Sequence, residues 1–273
     1  MPHLAQDVML NELAFISNRQ QAIRSAQAFW SFLGWLVDCR AKQITVLICL
    51  ACWIALFKIS PQTSLGSLCI GNAVSYSTSL FQNLSLPYIH AGLMAIAMMV
   101  PFALSHYRHI QNSVNPTVKG SAIFTFAATY GAIWIVVSCG MEVVNQVALA
   151  SVPRIPLLLL SVVFAAAWQL TATKQAALKQ CHVKSPLAAG GLNALRTSSA
   201  YGARHASSCI KACLPMMAIS TVSGHAFGLM VFLAFLMGVE RFSERSKIVT
   251  ITCALLLLFA GLLAAELIGD LLQ

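Results

Sequence analysis

The chain has 273 residues, of which 58% are hydrophobic and only 9% are charged. Soluble domains carry charge on about a quarter of their residues, so this composition excludes an ordinary soluble domain and indicates an integral membrane protein. The formal net charge is +9, but the basic residues fall in the connections between apolar segments, where topology and anionic headgroups require them. Nucleic-acid binding is therefore not expected.

The chain divides into two predicted parts. Residues 1–38 are mixed in polarity and are predicted to form an interfacial extension, because the segment 29–36 is rich in aromatic and apolar side chains. Asp7 and Glu12 are incompatible with a secretory signal. Residues 39–273 are predicted to form a transmembrane helical domain, and the uncharged stretch 59–85 a loop on the far side. Apolar stretches of nearly the length that a bilayer requires predict spans over 41–58, 86–106, 121–141, 155–173, 205–240 and 248–268.

The second half of the chain decides the number of spans. Residues 205–240 are too long for one span and are predicted to form a helical hairpin broken near Ser223–Gly224, which raises the total to seven. Residues 174–184 are predicted to be an amphipathic tail of the fourth span, and 185–204 a polar connection. This arrangement collects the basic residues on one side, which predicts a cytoplasmic N-terminus. The predicted fold is an all-α, polytopic bundle of six to seven spans in the inner membrane of a bacterium.

Two stripes of soft donor atoms stand out in the predicted spans. Cys209, Cys213 and Met217 recur every four residues, and His90, Met94 and Met98 have the same spacing, so each set lies on one helix face. Thiolates and thioethers select soft cations such as Cu(I). If the stripes face each other, they would supply donors to one ion. Packing is the alternative for each stripe, because methionine and buried cysteine are ordinary core residues.

Three further positions carry donor groups. His225 follows Gly224 at the hairpin apex and is either an additional ligand or a hydrogen-bonded structural histidine. Glu142 lies at the outer end of the third span. It could be a carboxylate ligand or a proton relay, and the alternative is a solvated side chain at the membrane edge. Cys181 and His182 are adjacent and therefore diverge on a helix, so a shared ion is not favoured there.

Four motifs, in order, resemble a bacterial family of predicted metal-binding integral membrane proteins, a domain of unknown function. The resemblance covers about residues 40–250 and implies metal binding by the cysteine-rich segment. Ala212 and Leu214 stand where the family pattern has cysteine and tryptophan, so one thiol of that pattern is missing. The matching residues are Ala97, Met98, Met99 and Pro101; Gln169, Leu170, Thr171, Lys174 and Cys181 with Pro186 and Leu187; Cys209, Cys213 and Met217; and Glu240 with Arg241.

Three functions are compatible with these features. The leading hypothesis is a membrane protein that binds copper for metal handling, delivery or assembly of a membrane enzyme, with lipid and other membrane-complex subunits as partners. The second is a structural or accessory subunit without its own metal. The third, a catalytic metal-dependent oxidoreductase subunit, is least favoured, because the sequence has no P-loop, dinucleotide glycine pattern, HExxH or GxSxG motif. The predicted metal ligands are Cys209, Cys213, Met217, His90, Met94, Met98 and His225.

Overall fold

The computed structural model describes residues 40–59, 80–242, 250–259 and 261, and all regular secondary structure in these ranges is helical. The predicted all-α class is therefore confirmed for this part of the chain. The predicted extension 1–38 lies outside the described residues, as do residues 60–79 of the predicted loop. Residues up to Ile44 and residues from Thr45 onward form separate units, and the packing given below is that of the second unit.

Between Leu80 and Phe242 the helices follow one another through short connections. Two short 3-10 helices, Val100–Ala103 and Pro116–Val118, precede the third and fourth α-helices. The α-helices are α1 Arg40–Ile59, α2 Leu80–Met99, α3 Leu104–Ser113, α4 Lys119–Ser151, α5 Arg154–Gln169, α6 Ala172–Cys181, α7 Gly191–Val222, α8 Phe227–Phe242 and α9 Thr250–Phe259.

Fewer helices than predicted have the length and composition of a membrane span. Among the described residues, 3 stretches qualify, Arg40–Ile59, Pro87–Ser113 and Pro116–Ser151, and the number rises to 4 if the pair α5 and α6, bent by 71°, is one span. The described chain thus has fewer such helices than the predicted seven. The described part of α8 has 16 residues, and α9 is described over Thr250–Phe259, while residues 260 and 262–268 of the last predicted span lie outside the described residues.

Three predicted boundaries differ from the structure. Helix α2 already begins at Leu80, inside the predicted loop 59–85. The predicted tail is a separate helix, because the Thr171 side chain accepts a hydrogen bond from the Lys174 amide and starts α6 anew. The predicted polar connection 185–204 is largely helical, since α7 runs unbroken for 32 residues from Gly191. Packing stabilises this part of α7, because Ala194, Ser198 and Tyr201 are buried at the spacing of one helix face.

The predicted break of the hairpin is confirmed. Helix α7 ends at Val222, and Gly224 and His225 have φ angles of 73° and 59°. These left-handed conformations end the helix, because the chain must leave the right-handed region there. Helix α8 then begins at Phe227 and packs against α7.

Helix α7 is the central element, with α4, α5 and α6 packed against it, while α2 packs against α4. Close approach of α7 and α4 depends on Gly202. A Cβ atom at this position would lie 2.7 Å from the carbonyl oxygen of Phe126 and 3.3 Å from Cβ of Thr129. Small residues allow such backbone contact between helices in membranes.

The Gly202→Ala variant is expected to lose about 1 to 3 kcal/mol of unfolding free energy, because the added methyl group overpacks the α4–α7 contact. Reversible unfolding of the detergent-purified protein measures this loss. Gly140→Ala is the matched control, since a Cβ atom there meets nothing within 4 Å, and it should be neutral or slightly stabilising. Equal stability of both variants would disprove the close contact.

Candidate functional site

Two buried cysteine sulfurs face each other where α6 ends against α7. Sγ of Cys181, the last residue of α6, lies 3.6 Å from Sγ of Cys209 on α7. Nε2 of His205, one turn earlier on α7, lies 3.7 Å from the Cys209 sulfur. All three side chains are buried. We call Cys181, His205 and Cys209 the thiol cluster.

A buried arginine from α8 reaches into this cluster. Nη1 of Arg241 donates to the Cys209 sulfur at 3.3 Å, and Nη2 lies 3.3 Å from Nε2 of His205. Nη2 also donates to the carbonyl oxygens of Phe102 at 3.2 Å and Cys181 at 3.5 Å. Because a guanidinium group only donates, the Cys209 sulfur and His205 Nε2 are its acceptors. Arg241 therefore places a positive charge beside a thiol that it can stabilise as thiolate.

Aromatic rings surround the thiol cluster. The ring of His106 lies 4.0 Å from that of His205, centroid to centroid, and Nδ1 of His106 is hydrogen-bonded to the Tyr201 hydroxyl. Tyr130 stacks on His205 from α4 at 5.1 Å. These rings keep bulk water from the thiols, which strengthens the electrostatic interactions inside.

A second group of donors lies at the C-terminal end of α7. Nδ1 of His225 lies 3.3 Å from Sδ of Met94, and its Nε2 lies 3.2 Å from a carboxylate oxygen of Glu142. The hydroxyl of Ser220 donates to the same Met94 sulfur at 3.2 Å. The ring of His90 lies 4.8 Å from that of His225. We call His90, Met94 and His225 the His–Met cluster.

The seven predicted ligands are thus distributed along the bundle. His90, Met94 and His225 come together, whereas Cys209 joins Cys181 and His205. The two clusters are well separated, because Cys209 and Ser220 are eleven positions apart on one helix, which is about 16 Å at 1.5 Å per residue. The other predicted ligands are buried on the same helices, Met98 on α2 and Cys213 and Met217 on α7.

Residues of the four sequence motifs meet around the thiol cluster. Nζ of Lys174 forms a buried ion pair with Glu240 at 2.6 Å, which joins α6 to α8. The next residue, Arg241, contacts Cys209 and the Cys181 carbonyl. The hydroxyl of Tyr130 donates to the Met99 carbonyl oxygen. The motif residues therefore hold three helices together at the site of the thiols.

Sequence reasoning did not assign Cys181, His205 or Arg241 to the site. One signal was available for His205, because it extends the four-residue spacing of Cys209, Cys213 and Met217 by one step. Cys181 and Arg241 belong to the matching motifs but have no regular spacing to the predicted ligands that would have assigned them to the site. The bend between α5 and α6 places Cys181 beside α7, and the hairpin of α7 and α8 places Arg241 there. Both depend on contacts between residues that are distant in sequence.

The donor spacing fits a soft ion, although among the described residues no three His, Cys, Asp or Glu side chains are already arranged around a metal position. Two sulfurs bound to one tetrahedral ion at about 2.3 Å lie about 3.8 Å apart, close to the 3.6 Å between Cys181 and Cys209. A nitrogen and a sulfur on one ion lie about 3.5 Å apart, close to the 3.3 Å between His225 and Met94.

Comparison with known proteins identifies a matching family model. No curated protein and no solved structure matches the chain. A family model described as a copper chaperone, PpoB2, matches residues 91–264. The match spans the whole thiol cluster, and also Met94, Glu142 and His225. Because it covers more than half of the sequence, the chain belongs to the PpoB2 copper chaperone family, and the predicted relation to copper handling is confirmed.

Proposed function

We propose that this chain is an integral membrane protein that carries Cu(I) at the thiol cluster and delivers it during assembly of a copper-dependent membrane enzyme. Membership of a copper chaperone family supports copper as the cargo. The observation that carries the proposal is the buried pair of thiols, Cys181 and Cys209, with sulfurs 3.6 Å apart. Nε2 of the neighbouring His205 lies 3.7 Å from the Cys209 sulfur and would supply a third donor once it no longer accepts from Arg241.

The charges of the thiol cluster favour a monovalent cation. Two thiolates carry two negative charges, and Cu(I) together with the Arg241 guanidinium carries two positive charges. The loaded cluster is therefore neutral, which matters because an uncompensated charge is costly in a buried site. A divalent ion would leave one positive charge in excess.

The position of the cluster suits loading and release. Cys181 ends α6, and residues 182–184, which follow it, are exposed. The Cys181 side chain itself is fully buried, so an ion on its sulfur would leave through a local opening of this exposed segment. A carrier requires such an exit, because its cargo must pass to a partner.

The surface of the described helices supports a membrane location. Large apolar side chains point outward from α4 and α5, with exposed fractions of 73% for Phe124, 71% for Val136 and 65% for Leu160. Soluble monomers rarely expose large contiguous apolar surface. Helices of sufficient length and hydropathy to span a bilayer carry part of this surface.

Copper binding tests the proposal. The detergent-purified full chain, titrated anaerobically with Cu(I) against the chelator bathocuproine disulfonate, should bind copper through sulfur ligands visible by X-ray absorption. In Cys181→Ser and Cys209→Ser, affinity at this site should fall at least 100-fold, because a hydroxyl is a poor ligand for a soft ion.

Two variants serve as controls. Cys49→Ser/Cys52→Ser exchanges another pair of buried cysteines, on α1, and Cys213→Ser exchanges the thiol one turn beyond Cys209. Both should keep the sulfur-bound copper. The proposal is refuted if Cys181→Ser and Cys209→Ser retain copper and either control loses it. The copper would then be bound by other thiols.

A further inference from the structure

We infer that His90, Met94 and His225 form a second Cu(I) site, supported from behind by Glu142 and separate from the thiol cluster. The inference rests on the proposed function, because the cargo is the same ion. Its ligands are two imidazoles and a thioether rather than thiols. Thioether and imidazole are both ligands of Cu(I).

The contact between His225 and Met94 points to a cation. If Nε2 of His225 donates to Glu142, as their 3.2 Å separation allows, then Nδ1 of the neutral ring carries a lone pair. That lone pair faces a thioether sulfur at 3.3 Å, and a thioether sulfur only accepts. Two acceptors at this distance require a cation, either a proton or a metal ion, and of the two the soft metal binds a thioether far better.

Glu142 has the position of an outer-sphere carboxylate. A metal-binding histidine usually donates its other ring nitrogen to a carboxylate, which fixes the ring and raises its basicity. Glu142 is itself oriented by Gln146, whose amide donates to its other oxygen at 3.4 Å. The carboxylate also balances the charge, since one Cu(I) and one Glu142 carboxylate sum to zero.

His90 supplies a further donor. Its Nε2 is buried and has no hydrogen-bond partner among the described residues, while its ring lies 4.8 Å from His225. Burial of an unpaired polar nitrogen is destabilising. A ligand bound at Nε2 would remove this penalty.

The backbone at His225 is consistent with a functional position. Its φ of 59° lies in the left-handed region, which non-glycine residues seldom occupy because it is strained for them. The turn nevertheless places a histidine there, directly after Gly224. This conformation directs the imidazole toward Met94 and Glu142.

The two sites differ in strength because of their ligands. The thiol cluster offers charged sulfurs and a compensating guanidinium, whereas the His–Met cluster offers neutral donors. With about 16 Å of α7 between them, the ions do not share ligands. The protein is thus a carrier with a stronger site at the middle of α7 and a weaker site at its C-terminal end.

The test uses Cu(I) titration of the full chain with Met94→Leu and His225→Asn, each measured by chelator competition and by X-ray absorption. Leucine keeps the volume of Met94 without its sulfur, and asparagine tolerates the left-handed backbone at 225. Each variant should weaken one Cu(I) site about 10- to 100-fold or more and leave the thiolate-bound ion intact. Met98→Leu, one turn further on α2, is the matched control and should change neither site.

Thiol variants separate this inference from the proposed function. In Cys181→Ser/Cys209→Ser, the second site should still bind Cu(I), now with nitrogen and thioether scattering only. If the wild-type protein binds copper through thiolates alone and Met94→Leu has no effect, the second site is refuted while the proposed carrier stands. If copper persists in the thiol variant and disappears in Met94→Leu, the second site stands while the thiol cluster fails as the carrier site.

Discussion

Lys174→Met is expected to lower the unfolding free energy by about 3 to 5 kcal/mol, because it leaves the Glu240 carboxylate buried without its counter-charge. The ion pair is short, at 2.6 Å, and its side chains are only 1% and 4% exposed. Solvent therefore screens it little. Since Lys174 lies on α6 and Glu240 on α8, the loss should also loosen the attachment of both helices to α7.

A double variant makes this prediction specific. Lys174→Met/Glu240→Leu removes both charges and should recover most of the lost stability, because a buried ion pair can often be replaced by apolar residues of similar volume. Reversible unfolding in mixed micelles measures all three proteins. If the single variant is as stable as the wild type, or the double variant is no better than the single one, the pair is not the buried contact described above.

Much of the helical architecture follows from the sequence because it depends on local signals. Long apolar stretches predict α1 and α4, and Ser223–Gly224 marks the break between α7 and α8 at the correct place. The boundaries that differ have two kinds of cause. Thr171 begins a new helix through a side-chain cap, which is a local signal. The first part of α7 is stabilised by packing of its buried face, which the glycines and serines of that region did not suggest.

The composition of the sites depends on contacts that spacing cannot show. Four-residue periodicity identifies Cys209 and Met94 as members of donor stripes. It does not reveal that Cys209 meets Cys181, which belongs to a helix bent by 71° from its predecessor. Likewise, His225 meets Met94 across more than a hundred residues. Such pairings arise from the order in which helices pack around α7, and hydrophobic periodicity does not encode that order.

Arg241 links the chemistry of the thiol cluster to its charge. Its guanidinium donates to the Cys209 sulfur at 3.3 Å, an arrangement that stabilises a thiolate before copper arrives. In the proposed carrier, one Cu(I) ion would then bond to the Cys209 thiolate and to the Cys181 sulfur, and only the proton of the Cys181 thiol would be displaced. Without the guanidinium, both thiols would start protonated, and the same binding step would release one more proton.

Arg241→Gln is therefore expected to weaken Cu(I) binding at the thiol cluster about 10- to 100-fold, as for other groups that support metal ligands. Proton release, followed with an indicator dye in weak buffer, should rise by about one proton for each Cu(I) bound. A purely structural role for Arg241 would not alter this number. Arg196→Gln, which exchanges an exposed arginine of α7, should change neither quantity. Unchanged proton release in Arg241→Gln would show that Cys209 is not held as a thiolate by this arginine.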